Sequence, residues 1–215
     1  MSIQGVIFDL DGVIVSTDDY HYRAWKRLAD EEGIPFDRRI NRRLRGVGRM
    51  ESLEIILENA DRTYSDEEKQ DLADRKNGYY RESLDDLGPD DLLPGAMAVM
   101  KELRERGVKI AVASSSRNTP TILERIGLTD FFDAKADGND IERSKPDPEV
   151  FQVAAERLGL EPDVCLVVED ADAGVEAAKR GGMKALAVGA AAGHPEADLS
   201  AKGLDAVAVE QLLAL

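Results

Sequence analysis

Residues 4–12 read QGVIFDLDG, a short apolar run that ends in two acidic residues and a glycine. A run of this kind is typical of a parallel strand that is buried on both faces of a sheet. Similar runs, the last of them weaker, recur at residues 108–113, 164–168, 184–188 and 205–209. Helix-like patterns lie between the later runs, at residues 95–106, 119–126, 148–158 and 173–180. This alternation predicts an α/β fold whose core is a Rossmann-like parallel sheet with right-handed crossovers.

Residues 18–87 interrupt this alternation. They are rich in charge, lack any strand-like run, and show helical patterns at residues 20–32, 38–44, 50–59 and 65–87. Because the block follows the first strand and precedes the rest of the sheet, we interpret it as an inserted all-helical cap domain. The sequence thus predicts an α/β core formed by residues 1–16 and 90–215, and a cap formed by residues 17–89.

Charge and hydropathy exclude several classes of partner. The chain has 215 residues, of which 28 are basic and 43 acidic, and its formal charge is −15. Nucleic acid is therefore not expected as a partner, because binding to a phosphate backbone requires a concentrated basic surface. No apolar run approaches the ~20 residues of a membrane span, and the N-terminus carries no visible export signal. We expect a cytoplasmic protein, a monomer by default, without nucleic-acid or membrane partners.

Polar residues follow several of the predicted strands. Open parallel sheets bind ligands at the carboxyl ends of their strands, so these residues should converge. They are Asp9 and Asp11, the turn Ser114-Ser115-Ser116-Arg117-Asn118, Lys145 before a proline, and the pair Glu169 and Asp170. Each has an ordinary structural alternative, namely a solvated acidic turn, a helix N-cap or a surface lysine. Those alternatives explain the combination poorly, and the sequence predicts a site at this edge.

The chemistry of these side chains suits phosphoryl transfer. Two neighbouring carboxylates repel each other unless a cation or a shared proton separates them, and a hard cation such as Mg2+ prefers oxygen ligands. A carboxylate such as Asp9 can attack phosphorus and form an acyl-phosphate, which divides the transfer into two displacements. A second carboxylate can protonate the leaving oxygen and then deprotonate the incoming one. The cation, the lysine and backbone donors would stabilise charge on the transferring group.

Four segments together resemble the motifs of the haloacid dehalogenase superfamily in their order and spacing: DLDGV (9–13), SSSRN (114–118), SKPDP (144–148) and EDA (169–171). This resemblance implies that Asp9 is the nucleophile and Asp11 the general acid and base. It places Ser114 and Lys145 around the transferring phosphoryl group. It also implies a Mg2+ ion held by Asp9, Glu169, Asp170 and the backbone carbonyl of Asp11. The acid at position 11 argues against a true haloacid dehalogenase, which needs no metal.

Three further segments, TDDYHYRAW (17–25), LRGVGRMESL (44–53) and RKN (75–77), are similar to signatures of the β-phosphoglucomutase family. This resemblance implies a mutase that interconverts β-glucose 1-phosphate and glucose 6-phosphate through β-glucose 1,6-bisphosphate. It implies that the distal phosphate contacts Arg49, Ser116, Arg117 and Asn118. Other implied substrate contacts are Thr17, His21, Trp25, Gly46, Val47, Ser52, Lys76 and Ser115. His21 and Lys76 would also support Asp11 when the cap closes.

Two positions depart from the pattern of that family. Gly48 stands where the family usually has serine, and Arg45 where it usually has lysine. These differences affect the identity of the sugar more than the phosphoryl-transfer chemistry. The main alternative is a Mg2+-dependent sugar-phosphate phosphatase of the same fold, and a second phosphate site at Arg49 favours the mutase. The remote alternative is a non-catalytic phosphosugar-binding protein. The four residues Asp9, Asp11, Lys145 and Asp170 argue against it.

Overall fold

The computed structural model describes residues 2–44 and 47–215, and these residues divide into two compact units. We call the part that ends at Ser16 and resumes as Gly88–Leu215 the core unit, and Thr17–Leu87 the cap unit. None of the helices in the described ranges combines the length and the hydropathy that a bilayer-spanning segment needs.

The core unit contains a parallel sheet. Its strands are β1 (Gly5–Phe8), β2 (Lys109–Ala113), β3 (Ala134–Ala136), β4 (Cys165–Glu169), β5 (Lys184–Ala187) and β6 (Leu199–Ser200). Over the described residues the sheet has six strands in the order β3-β2-β1-β4-β5-β6, and every neighbouring pair is parallel. All residues of β1 and β4 are buried, which is why their sequences are continuous apolar runs. The predicted Rossmann-like α/β fold is confirmed.

The regular elements that the structure describes in the cap unit are all helices. Its helices are α1 (Asp18–Glu31), α2 (Arg38–Asn41), α3 (Arg49–Leu57) and α4 (Asp66–Ser83). Helix α4 begins with a capping box, in which the Ser65 side chain accepts from the Glu68 N–H and the Glu68 side chain accepts from the Ser65 N–H. Apolar side chains of three helices, among them Leu28, Leu53 and Leu72, form the unit's own hydrophobic cluster.

Helices of the core unit lie between the strands, and one more follows the last strand. They are α5 (Ala96–Glu105), α6 (Thr119–Arg125), α7 (Glu149–Leu158), α8 (Asp172–Arg180) and, after β6, α9 (Val209–Leu213). The apolar faces of α7 and α8 pack on the sheet, where Phe151 and Val175 share one buried cluster with Ile7 of β1 and Val167 of β4. This packing holds the central strands rigidly in place.

The register of the central strands aligns their carboxyl ends. Phe8 pairs with Val112 of β2 and with Val168 of β4. The next residue, Asp9, donates its N–H to the Val168 carbonyl at 2.9 Å. The residues that directly follow or end these three strands are therefore neighbours at one edge of the sheet.

Three strands differ from the prediction. The weak strand expected at 205–209 is wrong, because Leu204–Ala206 forms a 3-10 turn and α9 begins at Val209. Val209 and Leu212 lie three residues apart on one buried face, which is a helical spacing. Strands β3 and β6 were missed, since β3 has only three residues with an exposed central Lys135 and β6 has only two residues.

Candidate active site

Asp9, at the end of β1, contacts the side chain of Lys145. The Lys145 ammonium group donates to Asp9 Oδ1 in a short hydrogen bond, and to Glu169 Oε2 at 2.7 Å. The Lys145 side chain is only 6% exposed, and its Nζ lies 4.6 Å from the centre of the Phe151 ring. A buried ammonium group is therefore held between two carboxylates and above an aromatic face.

Asp9, Glu169 and Asp170 form a carboxylate cluster. Each offers one oxygen, and the three oxygens lie within 4.8 Å of one another. Glu169 is held in place because its Oε1 accepts from the N–H groups of Asp170 at 3.2 Å and Ala171 at 3.0 Å. Carboxylate oxygens are the ligands that Mg2+ prefers in proteins, so the donor set and its spacing fit a hard divalent cation.

The charges in this cluster are not balanced. Burial raises the pKa of Asp9 well above its usual value, and the charges of Glu169 and Asp170 add to the rise while Lys145 opposes it. Burial disfavours the charged form of Lys145, but the carboxylates of Asp9 and Glu169 outweigh that effect and raise the pKa of Lys145. Asp9 and Glu169 therefore share Lys145, and a further cation would favour the ionised form of Asp9.

Asp11 lies two residues beyond Asp9 and is partly buried. Its backbone forms a β-bridge with Val15, and the N–H of Gly12 donates to the Val15 carbonyl at 2.7 Å. The chain therefore turns directly after the DLDG segment, which sets the backbone of Asp11 near the end of β1.

The turn 114–118 follows β2. The Ser114 hydroxyl accepts from the Ser116 N–H, and the Ser116 hydroxyl accepts from the Asn118 N–H, each at 3.2 Å. Asn118 precedes α6 but makes no capping hydrogen bond with its side chain, so the N-cap alternative is not realised. Ser115 Oγ is buried and has no hydrogen-bond partner among the described residues. A buried hydroxyl without a partner is uncommon in folded proteins.

A loop that the sequence analysis missed, residues 137–140 after β3, holds this turn. Gly138 N–H donates to the Ser116 carbonyl at 3.3 Å, and Asn139 Nδ2 donates to the Arg117 carbonyl at 3.2 Å. Arg117 Nε in turn donates to the Gly138 carbonyl at 3.2 Å. The available signal was the sequence DGND, because such residues form hydrogen-bonded turns.

Arg157 of α7 anchors the same loop from the other side. Its guanidinium makes a bidentate contact with the Asp140 carboxylate, at 2.6 and 2.9 Å, and donates to the Lys135 carbonyl. The loop is thus bonded to the turn on one side and to α7 on the other.

Within the cap unit, His21, Trp25 and Lys76 lie together. Lys76 is 3% exposed, and its Nζ lies 2.7 Å from His21 Nδ1 and 4.7 Å from the centre of the Trp25 ring. The His21 ring stacks on Tyr80, a residue that the sequence analysis missed, with centroids 4.0 Å apart. Burial, reinforced by Lys76 and Arg49, holds the pKa of His21 well below its usual value. Neutral His21 therefore accepts the hydrogen bond from Lys76.

The remaining cap residues of the predicted site lie on or near helix starts. Arg49 is the first residue of α3, and its Nη1 lies 3.9 Å from Asp74 Oδ1. Ser52 is buried, and its hydroxyl donates to the Val47 carbonyl at 3.4 Å. Thr17 precedes α1 and is buried. Gly46, and the substituted position Arg45, lie outside the described residues.

The parallel sheet carries Asp9, Lys145 and the pair Glu169 and Asp170 at its carboxyl edge. This arrangement defines an α/β enzyme fold with an acidic centre that suits a cation. The chain belongs to the haloacid dehalogenase-like hydrolase family, whose model matches residues 3–182.

Within that family, the chain is similar to the β-phosphoglucomutase of Bacillus subtilis, with 47% identity over 87% of this chain and 84% of the relative. It is 31% identical to the phosphorylated carbohydrates phosphatase of Thermotoga maritima, over 86% of this chain and 84% of that protein. The crystal structure of β-phosphoglucomutase from Clostridium difficile superposes with a TM-score of 0.91 and 37% identity, covering 98% of this chain and 95% of that one. These similarities confirm the resemblance found in the motifs.

Proposed function

We propose that this protein is a phosphoryl-transfer mutase that interconverts β-glucose 1-phosphate and glucose 6-phosphate through β-glucose 1,6-bisphosphate. The observation that carries the phosphoryl-transfer chemistry is the buried contact of Lys145 with both Asp9 and Glu169. The choice of the mutase rests on the 47% identity to the Bacillus subtilis β-phosphoglucomutase, against 31% to the Thermotoga maritima phosphatase.

The proposed nucleophile is Asp9. One of its carboxylate oxygens attacks phosphorus, a P–O bond to the substrate oxygen breaks, and Asp11 gives its proton to that leaving oxygen. In the second half, Asp11 removes the proton of the incoming sugar hydroxyl, which attacks the aspartyl-phosphate and regenerates Asp9. Lys145 and Ser114 would bind the oxygens of the transferring group, where negative charge accumulates.

Asp9, Glu169 and Asp170, with the backbone carbonyl of Asp11, would hold a Mg2+ ion. The ion would supply positive charge beside the transferring phosphoryl group. The support is the carboxylate cluster itself, because three carboxylate oxygens lie within 4.8 Å of one another there and burial raises the pKa of Asp9.

We assign the distal phosphate and the sugar to the second set of residues. Arg49, Ser116, Arg117 and Asn118 would bind the phosphate that does not react, and an arginine suits such a group because it can donate two parallel hydrogen bonds. The sugar-side contacts would be Thr17, His21, Trp25, Gly46, Val47, Ser52, Lys76 and Ser115. Residues 17–89 would act as a cap that closes over the substrate and protects the aspartyl-phosphate from water.

A sugar-phosphate phosphatase is the second candidate, favoured by the relative from Thermotoga maritima. A mutase and a phosphatase would share Asp9, Asp11 and Lys145. They differ in whether a sugar hydroxyl or water receives the phosphoryl group. A non-catalytic phosphosugar-binding protein would not require these three residues together, and we regard it as the remote alternative.

The deciding experiment supplies Mg2+, β-glucose 1-phosphate and a trace of β-glucose 1,6-bisphosphate, and follows glucose 6-phosphate and free phosphate together. We expect glucose 6-phosphate with little free phosphate. Stoichiometric free phosphate without isomerised product would establish the phosphatase instead.

Three variants test the assigned roles in the same assay. Asp9→Asn should abolish both products, and retained turnover would refute the covalent route. Asp11→Asn should slow both proton transfers while Mg2+ still binds. Asp170→Ala should raise the Mg2+ concentration needed for half-maximal rate, and an unchanged requirement would contradict its role as a ligand.

Sedimentation of the same preparation would test the expected monomer.

A further inference from the structure

Helix α8 has a glycine in its first turns, where the helix itself does not require one. Gly174 is the third residue of Asp172–Arg180 and is fully within the helix. Its φ lies in the range that ordinary residues adopt, so alanine would be compatible with the backbone there. Glycine in a helix is also less favourable than alanine, because it loses more backbone entropy on folding. Something other than local conformation must explain this residue.

The carboxylate of Glu169 occupies the space that a side chain at position 174 would fill. A Cβ atom on Gly174 would lie 2.0 Å from Glu169 Cδ and 2.1 Å from Glu169 Oε2. Such distances are far inside van der Waals contact. The Glu169 carboxylate can therefore keep its position only while position 174 has no side chain.

That position is the one in which Glu169 makes all its contacts. Its Oε1 accepts from two backbone N–H groups, and its Oε2 accepts from Lys145 at 2.7 Å. Glu169 is a long, flexible side chain, so it could swing away from an added methyl group. The swing would break the contact with Lys145 and remove one oxygen from the carboxylate cluster.

A second glycine stands in the same relation to the next acidic residue. A Cβ atom on Gly12 would lie 2.1 Å from Asp170 Oδ2. Gly12 also has a φ of +85°, where any side chain is strained, so a substitution there would not isolate the steric effect. Gly174 permits a clean test.

We infer that Gly174 is a positioning residue, whose missing side chain sets the Glu169 carboxylate in place against Lys145 and within the cation-binding cluster. The inference rests on the proposed function for the identity of the cation. Gly174 has no side chain that could bind substrate or cation, and it acts through Glu169.

The test is a double-mutant cycle between Gly174→Ala and Glu169→Ala in the full chain. Mg2+ affinity is measured by titration calorimetry without sugar phosphate, and thermal midpoints are measured in EDTA. Gly174→Ala should weaken Mg2+ binding about tenfold or more in the wild-type background. It should change the affinity no further in the Glu169→Ala background, because the clashing carboxylate is absent there.

Gly78→Ala is the matched control, since Gly78 lies in α4 with no atom within 4 Å of an added Cβ. It should leave Mg2+ affinity unchanged.

The thermal midpoints give a readout that does not depend on the metal. In EDTA, Gly174→Ala should raise the midpoint when Glu169 is alanine, by about 2 °C as expected for Gly78→Ala, and should not raise it when Glu169 is present. Equal effects in both backgrounds, or Mg2+ binding within twofold of wild type, would overturn the inference. If Gly174→Ala alone does not fold, a folded double variant supports the inference and an unfolded one refutes it. Because no phosphoryl acceptor is present, failure here is distinct from failure of the mutase assignment.

Discussion

The Lys145 ammonium group lies 2.7 Å from Glu169 Oε2, although 24 positions separate the two residues in the chain. Lys145 also contacts Asp9, which is 136 positions away. These two contacts neutralise part of the negative charge at the edge of the sheet, and they make Lys145 the centre of the buried charge network.

Replacing Lys145 with methionine should destabilise the core unit and stop catalysis. The change leaves Asp9 and Glu169 buried without their shared cation, and breaking a buried ion pair costs about 3 kcal/mol. Turnover should fall by about 10²–10³, since Lys145 would no longer stabilise the transferring phosphoryl group. Urea unfolding and steady-state kinetics measure the two effects.

The control for this change is Lys101→Met, because Lys101 is an exposed residue of α5. It should alter neither quantity. Mg2+ should restore part of the stability of Lys145→Met by supplying positive charge. If Mg2+ does not change the free energy of unfolding of this variant, no cation binds in this cluster.

Removal of the hydroxyl group should change the free energy of unfolding in opposite directions at Ser115 and at Ser116. Ser115→Ala removes a buried Oγ that has no partner among the described residues, and it should raise the free energy of unfolding by about 1 kcal/mol. Ser116→Ala deletes the acceptor of the Asn118 N–H and should lower it by a similar amount. Both variants should raise KM for the sugar phosphate. Equal stability changes in the two variants would contradict this description of the turn.

Asn139→Ala should loosen the turn 114–118 without touching the carboxylate cluster. The amide Nδ2 donates to the Arg117 carbonyl and to Asp137 Oδ1, at 3.2 and 2.8 Å. Losing about 1 kcal/mol of this support should raise KM roughly fivefold and leave Mg2+ affinity unchanged. Asn139→Asp keeps the shape but removes the donor, so it should be at least as harmful. A wild-type KM in Asn139→Asp would show that the amide does not donate to the turn.

The cap unit should lose stability as pH falls below 6.5. The pKa of His21 in the folded chain lies well below 6.5, because of burial and the positive charges of Lys76 and Arg49. The unfolded chain therefore binds the proton first as pH falls, so this contribution is complete above pH 6.5 and is lost progressively towards the folded pKa. His21→Gln should remove this contribution to stability. The thermal midpoint of the variant should therefore depend less on pH between about pH 6.5 and 5.

His194→Gln is the comparison variant for the pH measurement, because His194 lies in the core unit and not in the cap unit. It shows how much a histidine replacement outside the cap unit changes the pH dependence of the thermal midpoint. If His21→Gln and the wild type lose stability in parallel, His21 does not stay neutral in the folded chain.

Local patterns in the sequence were sufficient for much of the fold. The strand β1 and its acidic end were visible because a strand buried on both faces must be a continuous apolar run. Periodicity failed where an element was short or exposed, as in β3 with its exposed Lys135, and where Val209 was assigned to a strand instead of a helix. In those places packing against the rest of the core unit decided the conformation.

By itself, then, the sequence determined the α/β fold class, the strands β1, β2, β4 and β5, the set of acidic, hydroxyl and lysine residues, and the family that carries them. Only the tertiary structure decided which of these side chains meet. In the folded chain Lys145 contacts Asp9 and Glu169, and Asn139 donates to the Arg117 carbonyl. Gly174 lies where an added Cβ atom would overlap the Glu169 carboxylate. The physical reason is that the spacing of apolar residues indicates only which face of a given strand or helix is buried. Contacts between distant residues depend on strand register and on excluded volume, and these exist only in the packed chain.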